Sequence, residues 1–454
     1  MKSAVDSAGR LPVRTKVGFG IADLGGNLFF TAMGFWSMFY LTDGVRIPAA
    51  MAGLAVMIGK IWDAVTDPMM GYVSDRTDTR LGRRRPYIIF GAVPLMAAMI
   101  YFFKVPGFTN PVALTAWATV ALCCLLNTAY TVVNVPYASL TPELTKDYNE
   151  RTSLNGYRFA FAAVGTMLGA SIVQPIIGMA KTKAAGYLLV GIIFGAVMAV
   201  TSLITGFSVR ERHREGDIPH GFIKTYSSVF KNRPYLILLF TYALNLTGLN
   251  FLQGILAYYF KYIVGNEAMT TLAMVLLIGV AMVFIPISVA IAKKVGKKIV
   301  YQLCFGTLSA VCAVIFFFGH LMPMPALLVV MAFGGVGIGF GYVPPYAMLP
   351  DAIEVEAARS GKRNEGAYYG IWTLMSKLGT SAATALLGFV LALARYVPDV
   401  TQAPQALLAI RLLVGPIPMV FLIGAAVLVQ FYPLDEKTYE AMIAGSKDEG
   451  QSAT

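Results

Sequence analysis

Apolar runs of about 20 residues or more, each long enough to cross a bilayer as a helix, alternate with short polar connections along the whole chain. The pattern predicts spans at 17–42, 48–74, 87–105, 110–141, 155–180, 184–208, 235–262, 268–292, 299–319, 324–350, 367–394 and 406–432. Lipid offers the backbone no hydrogen-bonding partner, so each span must satisfy its own N–H and C=O groups, which a helix does. The expected fold is an all-α polytopic membrane protein of twelve transmembrane helices. Composition agrees: 57% hydrophobic and 13% charged residues leave too little polar surface to cover a soluble globule of 454 residues. The opening MKSAVDSAGRLPVRTK is polar and basic, with no short apolar stretch ending at a small-residue cleavage site, so no signal peptide is expected.

Charge is distributed by side. Lys2, Arg10, Arg14 and Lys16 precede the first span, Arg80 to Arg85 follow the second, and Lys146 and Arg151 follow the fourth. Arg210 to Arg233 follow the sixth, Lys293 to Lys298 the eighth, and Arg359, Lys362 and Arg363 the tenth. The opposite connections hold only scattered charges such as Arg46, Lys181 and Lys183. Positive charge marks the cytoplasmic face, so both termini are expected in the cytoplasm of an integral plasma (inner) membrane protein. The net charge of +12 is then a topology signal, and no nucleic-acid partner is expected. His213, His220 and His320 fall in or beside connections and are given no proton role; Cys123, Cys124, Cys304 and Cys312 fall inside apolar runs and suggest neither disulfide nor metal.

The longest polar connection divides the chain into 1–208, a central loop 209–234, 235–433 and a tail 434–454. The two long parts share short matches: VPYASL at Val135–Leu140 with PPYAML at Pro344–Leu349, and RLGRRRPYI from Arg80 with KVGKKIVYQ from Lys294. Two pairs at similar offsets argue for a parallel duplication. Duplicated six-helix halves with a basic turn after the second helix of each resemble the major facilitator fold, which implies a site between the halves near mid-membrane.

Polar groups inside spans are the functional candidates. Asp63 and Asp67 stand four apart, on one face of a helix. A carboxylate at mid-membrane costs about 2.5 to 3.5 kcal/mol, so two stacked on one face point to a bound cation. Monovalent cations want several oxygen ligands, and Asp63, Thr66, Asp67 and Thr131 are the candidate set, with Asp63 and Asp67 as its charged members. The same carboxylates could carry a proton, and the residues leave sodium and proton both open. Candidate substrate contacts are Asp23, Asn27, Asn134, Arg158, Tyr342, Trp372, Thr373 and Lys377. Arg80, Arg83, Arg84 and Arg85 read either as topology charges or as a gate exchanging ion pairs with acidic residues such as Asp351 and Glu365.

The stretches WDAVTDPMMG, RLGRRRPY, NVPYASL, GIADLGGN and EGAYYGIWTLMSKLG resemble the glycoside-pentoside-hexuronide:cation symporters, the melibiose permease-like branch of the major facilitator superfamily. The resemblance runs through nearly every span in order. It implies a cation site at Asp63 and Asp67 with a hydroxyl ligand from Thr131, and sugar-site residues Arg158 and Lys377. It also shows departures: Thr66 stands where the pattern has Asn, Asn27 and Asn134 where it has two sugar-binding aspartates, and Ala138 where it has an aromatic. An asparagine offers one acceptor and two donors where an aspartate offers charged acceptors, so the implied substrate is a glycoside, pentoside or uronide other than melibiose.

The expected function is a sodium- or proton-coupled symporter importing such a sugar by alternating access, with no organic cofactor, acting as a monomer. The alternative is a sodium-dependent lysophospholipid symporter of the same fold. A receptor that binds without transporting is a third reading, distinguished by the absence of gradient-driven accumulation. An enzyme is excluded by the lack of a nucleophile with a base, a metal-binding histidine cluster or a phosphate-cradling glycine loop.

Overall fold

The computed structural model describes residues 11–145, 148–211, 229–230, 232–360, 365–434 and 438. The helices are α1 (Val13–Gly20), α2 (Ala22–Phe39), α3 (Ala49–Arg76), α4 (Arg85–Phe103), α5 (Pro111–Val120), α6 (Thr128–Ala138), α7 (Thr141–Leu144), α8 (Tyr148–Ser171), α9 (Val173–Gly178) and α10 (Lys183–Ser208). They continue with α11 (Arg233–Tyr258), α12 (Met269–Val295), α13 (Lys297–Phe318), α14 (Met324–Tyr342), α15 (Pro344–Ser360), α16 (Glu365–Leu393), α17 (Pro404–Val414) and α18 (Pro416–Gln430).

Among the described residues, ten helical stretches are long and apolar enough to cross a membrane. The chain is a multi-pass integral membrane protein. The two other expected spans are α2 with the π-helical turn Tyr40–Gly44 that continues it, and α8 with α9. Both are less apolar for an identifiable reason. Asp23 and Asn27 lie in α2, and α8 opens on a polar turn and carries Arg158. These two helices pack on each other, and the polar groups of one meet those of the other.

The chain forms two compact units. The first comprises Met1–Asp217, Asn266–Thr271 and Thr384–Ala403; the second comprises Ile218–Gly265, Leu272–Ala383 and Pro404–Thr454. The short segments 266–271 and 384–403 belong to the first unit although the chain around each belongs to the second.

In the first unit α2 packs on α8 and α4 on α10. The approach of α2 and α8 is so close that a Cβ on Gly165 would overlap the Leu24 carbonyl oxygen, and one on Gly169 that of Leu28. Trp36 Nε1 donates to the Ala170 carbonyl at 3.0 Å and Tyr40 Oη to that of Phe102 at 2.8 Å, so the aromatic core has no stranded donor at these positions. In the second unit α11 packs on α18, and α13 on α14 and α18, around Tyr235, Tyr301, Phe305, Met348, Trp372 and Leu422.

Repetition shows at the level of turns. A π-helical turn ends α2 at Tyr40–Gly44 and another ends α11 at Tyr259–Ile263, each closed by a bond from the following valine to the tyrosine carbonyl: Val45 N to Tyr40 O at 2.9 Å, Val264 N to Tyr259 O at 3.1 Å. Gly82 and Gly296, matched in the two basic turns, both have positive φ, +109° and +93°, a conformation that side chains with a Cβ rarely adopt.

Candidate functional site

Helix α3 carries the carboxylate pair. Pro68 follows Asp67 directly and has no N–H, so the Ala64 carbonyl loses its usual helical donor beside the two acids. Opposite, the π-helical turn Ala121–Asn127 inserts a wider turn just before α6, and the residues after it face α3. Asn127 Nδ2 donates to the Gly59 carbonyl at 2.7 Å, and Trp62 Nε1 to Thr128 Oγ1 at 2.9 Å. Between those contacts lies Thr131, 1% exposed, whose Oγ1 stands 2.9 Å from Asp63 Oδ1 and 2.9 Å from Asp67 Oδ1. Thr66 behaves otherwise: its hydroxyl turns back to the Trp62 and Asp63 carbonyls at 3.1 and 3.3 Å. The hydrogen bonds thus gather Asp63, Asp67 and Thr131, and direct the Thr66 hydroxyl to its own helix.

A hydroxyl has one proton to give. Thr131 can donate it to one carboxylate, and the oxygen of the other then meets a hydroxyl lone pair. Protonation of one carboxyl, which then donates to Thr131, relieves this, and so does a cation that takes lone pairs from all three oxygens. The geometry suits a proton or a small monovalent ion.

A second polar cluster joins α2, α6 and α8. Arg158 Nε is 2.6 Å from Asp23 Oδ2, and Nη2 is 3.4 Å from Oδ1. Tyr137 Oη donates to Asp23 Oδ2 at 2.6 Å, and Arg158 Nη1 to Thr141 Oγ1 at 3.1 Å. The guanidinium lies over the rings of Tyr137 and Phe19, 5.0 and 5.6 Å from their centres. Asp23 and Arg158, both expected to meet substrate, therefore meet each other. Asn27 Nδ2 donates to the Asp23 carbonyl at 2.9 Å. Asn134 lines a cavity of ≈ 20 Å³ with Gly26, Tyr130 and Tyr137, room for about one water molecule. Tyr130 stacks on Phe29 and lines the same cavity as Asn134 and Tyr137.

The remaining expected substrate residues belong to the second unit. Trp372, 4% exposed, stacks on Tyr242 with ring centres 4.2 Å apart. Tyr242 Oη and Tyr346 Oη are 3.0 Å apart, and Tyr346 neighbours Tyr342, which is half exposed. Thr373 Oγ1 donates to the Tyr369 carbonyl at 3.0 Å. Lys377 is partly buried one turn beyond Thr373. Tyr242 and Trp372 are buried against each other, and Tyr342 and Tyr346, half exposed, present ring faces and hydroxyls of the kind that suit the C–H faces and hydroxyls of a sugar.

At the basic turn, Arg84 pairs with Asp75 at 2.9 Å, Arg85 Nε donates to the Gly206 carbonyl at 2.9 Å, and Arg83 Nη1 to the Asp75 carbonyl at 3.5 Å. Glu211 accepts from the backbone N–H groups of Arg83, Arg84 and Arg85 at 2.6, 2.8 and 3.0 Å, which caps α4 with a carboxylate from beyond α10. Arg80 is exposed. Asp351 pairs with Lys297 within the second unit. The side chain of Glu365 lies outside the described ones.

Two contributors escaped the reading of the sequence. Glu211 acts across more than a hundred residues on backbone groups, a contact without a sequence signature. Lys60 did have one: an ionisable residue inside an apolar run, one turn before Asp63.

A helical membrane protein with two partly buried polar clusters inside its spans has the makings of a solute transporter. The family model described as MFS/sugar transport protein matches residues 18–436. The chain belongs to that family, as the resemblance to the glycoside-pentoside-hexuronide symporters implied, and it is a membrane transporter and not an enzyme. An isoprimeverose transporter of Lactiplantibacillus pentosus is 27% identical, over 94% of this chain and 90% of that protein. A protein of Salmonella typhimurium named for sulfoquinovose import is 28% identical, over 96% and 92%. A glucuronide carrier protein homolog of Escherichia coli is 25% identical, over 96% and 95%. Among solved structures, a bacterial homologue of the lysosomal transporter Spinster has a TM-score of 0.69 at 12% identity, covering 96% of this chain and 98% of that one, a likeness of fold.

Proposed function

We propose that this protein is a cation-coupled symporter, driven by sodium or protons, that imports a sugar, glycoside or uronide by alternating access. The observation that carries the reading is the single hydroxyl of Thr131 set 2.9 Å from two carboxylates, an arrangement that calls for one more positive charge. Occupancy of Asp63 and Asp67 neutralises the pair and ties α3 to α6. Tyr130 extends the effect towards Asn134 and the Asp23–Arg158 cluster, and by linkage substrate tightens the cation as the cation tightens substrate.

Several features support a sugar over a lysophospholipid: the half-exposed rings and hydroxyls of Tyr342 and Tyr346, the amides Asn27 and Asn134, and relatives named for isoprimeverose, sulfoquinovose and glucuronide. Neutral amides at 27 and 134 also spare an acidic sugar the repulsion that aspartates would exert. The alternation of basic connections supports both termini in the cytoplasm of the inner membrane.

The test is uptake of isoprimeverose, sulfoquinovose and a glucuronide into membrane vesicles under an imposed sodium or proton gradient. At least one sugar should accumulate with one of the gradients. Asp63→Asn should abolish accumulation while leaving exchange or binding. Accumulation unchanged in that variant, or uptake indifferent to both gradients, overturns the reading.

A further inference from the structure

Where α2 ends, α9 and α10 meet and α12 begins lies a cavity of ≈ 510 Å³, at the helix ends opposite the basic turns and apart from both polar clusters. Every residue lining it belongs to the first unit. Small-molecule sites run to about 300 to 1,000 Å³, so the size suits an organic solute, whereas one water takes about 30 Å³ and an ion would leave most of the space empty. The wall is of mixed chemistry. Phe39 and Tyr187 make part of it apolar. Elsewhere on it Gln174 Nε2 donates to Glu267 Oε1 at 2.8 Å, and no described residue bonds the second oxygen of that carboxylate. Thr271 follows Glu267 by one helical turn and lines the same cavity, and its hydroxyl oxygen, closed off from solvent, has no hydrogen-bond partner among the described residues. Such a hydroxyl carries a desolvation penalty that a ligand hydroxyl relieves.

We propose that this cavity is a docking site for a neutral sugar, separate from the Asp63–Asp67 and Asp23–Arg158 clusters, with Glu267 and Thr271 as its polar contacts. A carboxylate oxygen accepts strongly from sugar hydroxyls, and a threonine both gives and accepts. Neutrality follows from the charges on the wall. Glu267 and Asp43 both line the cavity, and the ammonium that lines it, that of Lys183, is taken by Asp399 at 3.0 Å. An acidic sugar would meet two carboxylates there. The inference takes the sugar class from the proposed function and nothing from the cation site.

Gly178 lines the cavity, and a Cβ on it meets nothing within 4 Å, so Gly178→Cys places a thiol there without a clash. The purified full chain in lipid nanodiscs, with both faces open to reagent, is alkylated with a maleimide, and the unmodified protein gives the background from the native cysteines. Isoprimeverose and methyl glucoside should each slow alkylation of the Gly178→Cys protein. Methyl glucuronide, which differs from methyl glucoside only by its C6 carboxylate, should protect far less. Combining Gly178→Cys with Glu267→Gln should raise the sugar concentration for half-protection about fivefold or more, the difference between a charged and a neutral acceptor. Thr271→Val removes a hydroxyl that no described residue holds, should shift protection in the same direction, and serves alone if Glu267→Gln disturbs folding. No protection by either neutral sugar, equal protection by methyl glucuronide, or a half-protection concentration unchanged by the Glu267 and Thr271 substitutions overturns the docking site. Protection intact while no sugar accumulates in the vesicle assay overturns instead the transport reading and leaves the docking site standing.

Discussion

At the scale of single residues, the pairing of Asp23 with Arg158 decides how variants of either are read. The side chains are 15% and 23% exposed, and the carboxylate accepts from both the guanidinium and Tyr137. Removing one member of a buried pair strands the other, which costs about 3 to 5 kcal/mol, whereas removing both costs much less. Arg158→Met should therefore lower the unfolding temperature clearly, and the double variant Asp23→Asn/Arg158→Met should recover part of the loss. Equal unfolding temperatures for the single variant and the unmodified protein would show that the pair does not carry this energy. Loss of transport in Arg158→Met alone is consequently weak evidence that Arg158 touches sugar, because an Asp23 that has lost its guanidinium, still bonded to Tyr137 and Asn27, disturbs the same region. Asn27→Ala, which removes a bond to the Asp23 carbonyl and no charge, reports on substrate contact more directly.

At the scale of helices, α2 and α8 show what hydropathy reveals and what it hides. Spans with uniformly apolar sequences are legible from their length alone, and their order gave the fold class. The α2–α8 pair is harder to read because each helix carries polar groups whose compensation lies on the other, 135 residues away for Arg158 and Asp23. Carboxylates at i and i+4 were legible because one helix holds both. Thr131 was legible only as a hydroxyl on another span that could join them, its contact with both acids being set by the packing of two helices, and the turning away of the Thr66 hydroxyl depends on a rotamer that no pattern encodes. Gly82 and Gly296 were legible as a matched pair, and their positive φ values give the match a backbone reason. The glycines of α8 carry a prediction at this scale. The atoms a Cβ on Gly165 would meet are the Leu24 carbonyl and Cα, backbone that cannot rotate aside, so Gly165→Ala must push the helices apart. Overpacking of this kind costs about 1 to 3 kcal/mol. The unfolding temperature should fall, and more than for Gly156→Ala in the same helix, where a Cβ meets nothing within 4 Å. Equal effects at the two positions would mean that α2 and α8 lie further apart than described.

At the scale of the whole molecule, α16 belongs to both compact units: Glu365–Ala383 to the second and Thr384–Leu393 to the first. Its later part is held to the first unit by contacts of its own. Within the helix, Lys60 bonds Thr384 and Gly388 packs closely on Ala49 and Gly53; the further polar contacts lie beyond the helix. Tyr396 Oη donates to Asp43 Oδ2 at 2.6 Å, where Asp43 is 3% exposed and accepts also from Thr42 Oγ1 at 2.9 Å. Asp399 takes Lys183 at 3.0 Å and Arg46 at 3.6 Å, but Arg46 and Lys183 are largely exposed, and pairs of that kind contribute little. The buried phenol–carboxylate bond is the stronger contact, since hydrogen bonds to charged groups contribute about 1.5 to 3 kcal/mol. Tyr396→Phe should then free the 384–403 segment locally, raising amide hydrogen exchange there roughly tenfold or more while α4 and α10, in the core of the same unit, keep their protection. Asp399→Asn should leave exchange in the segment nearly as it was. A Tyr396→Phe protein with unchanged exchange over 384–403 would show that apolar packing alone secures the segment, and a uniform rise across the first unit would show that the bond stabilises the whole unit and is not a local fastening.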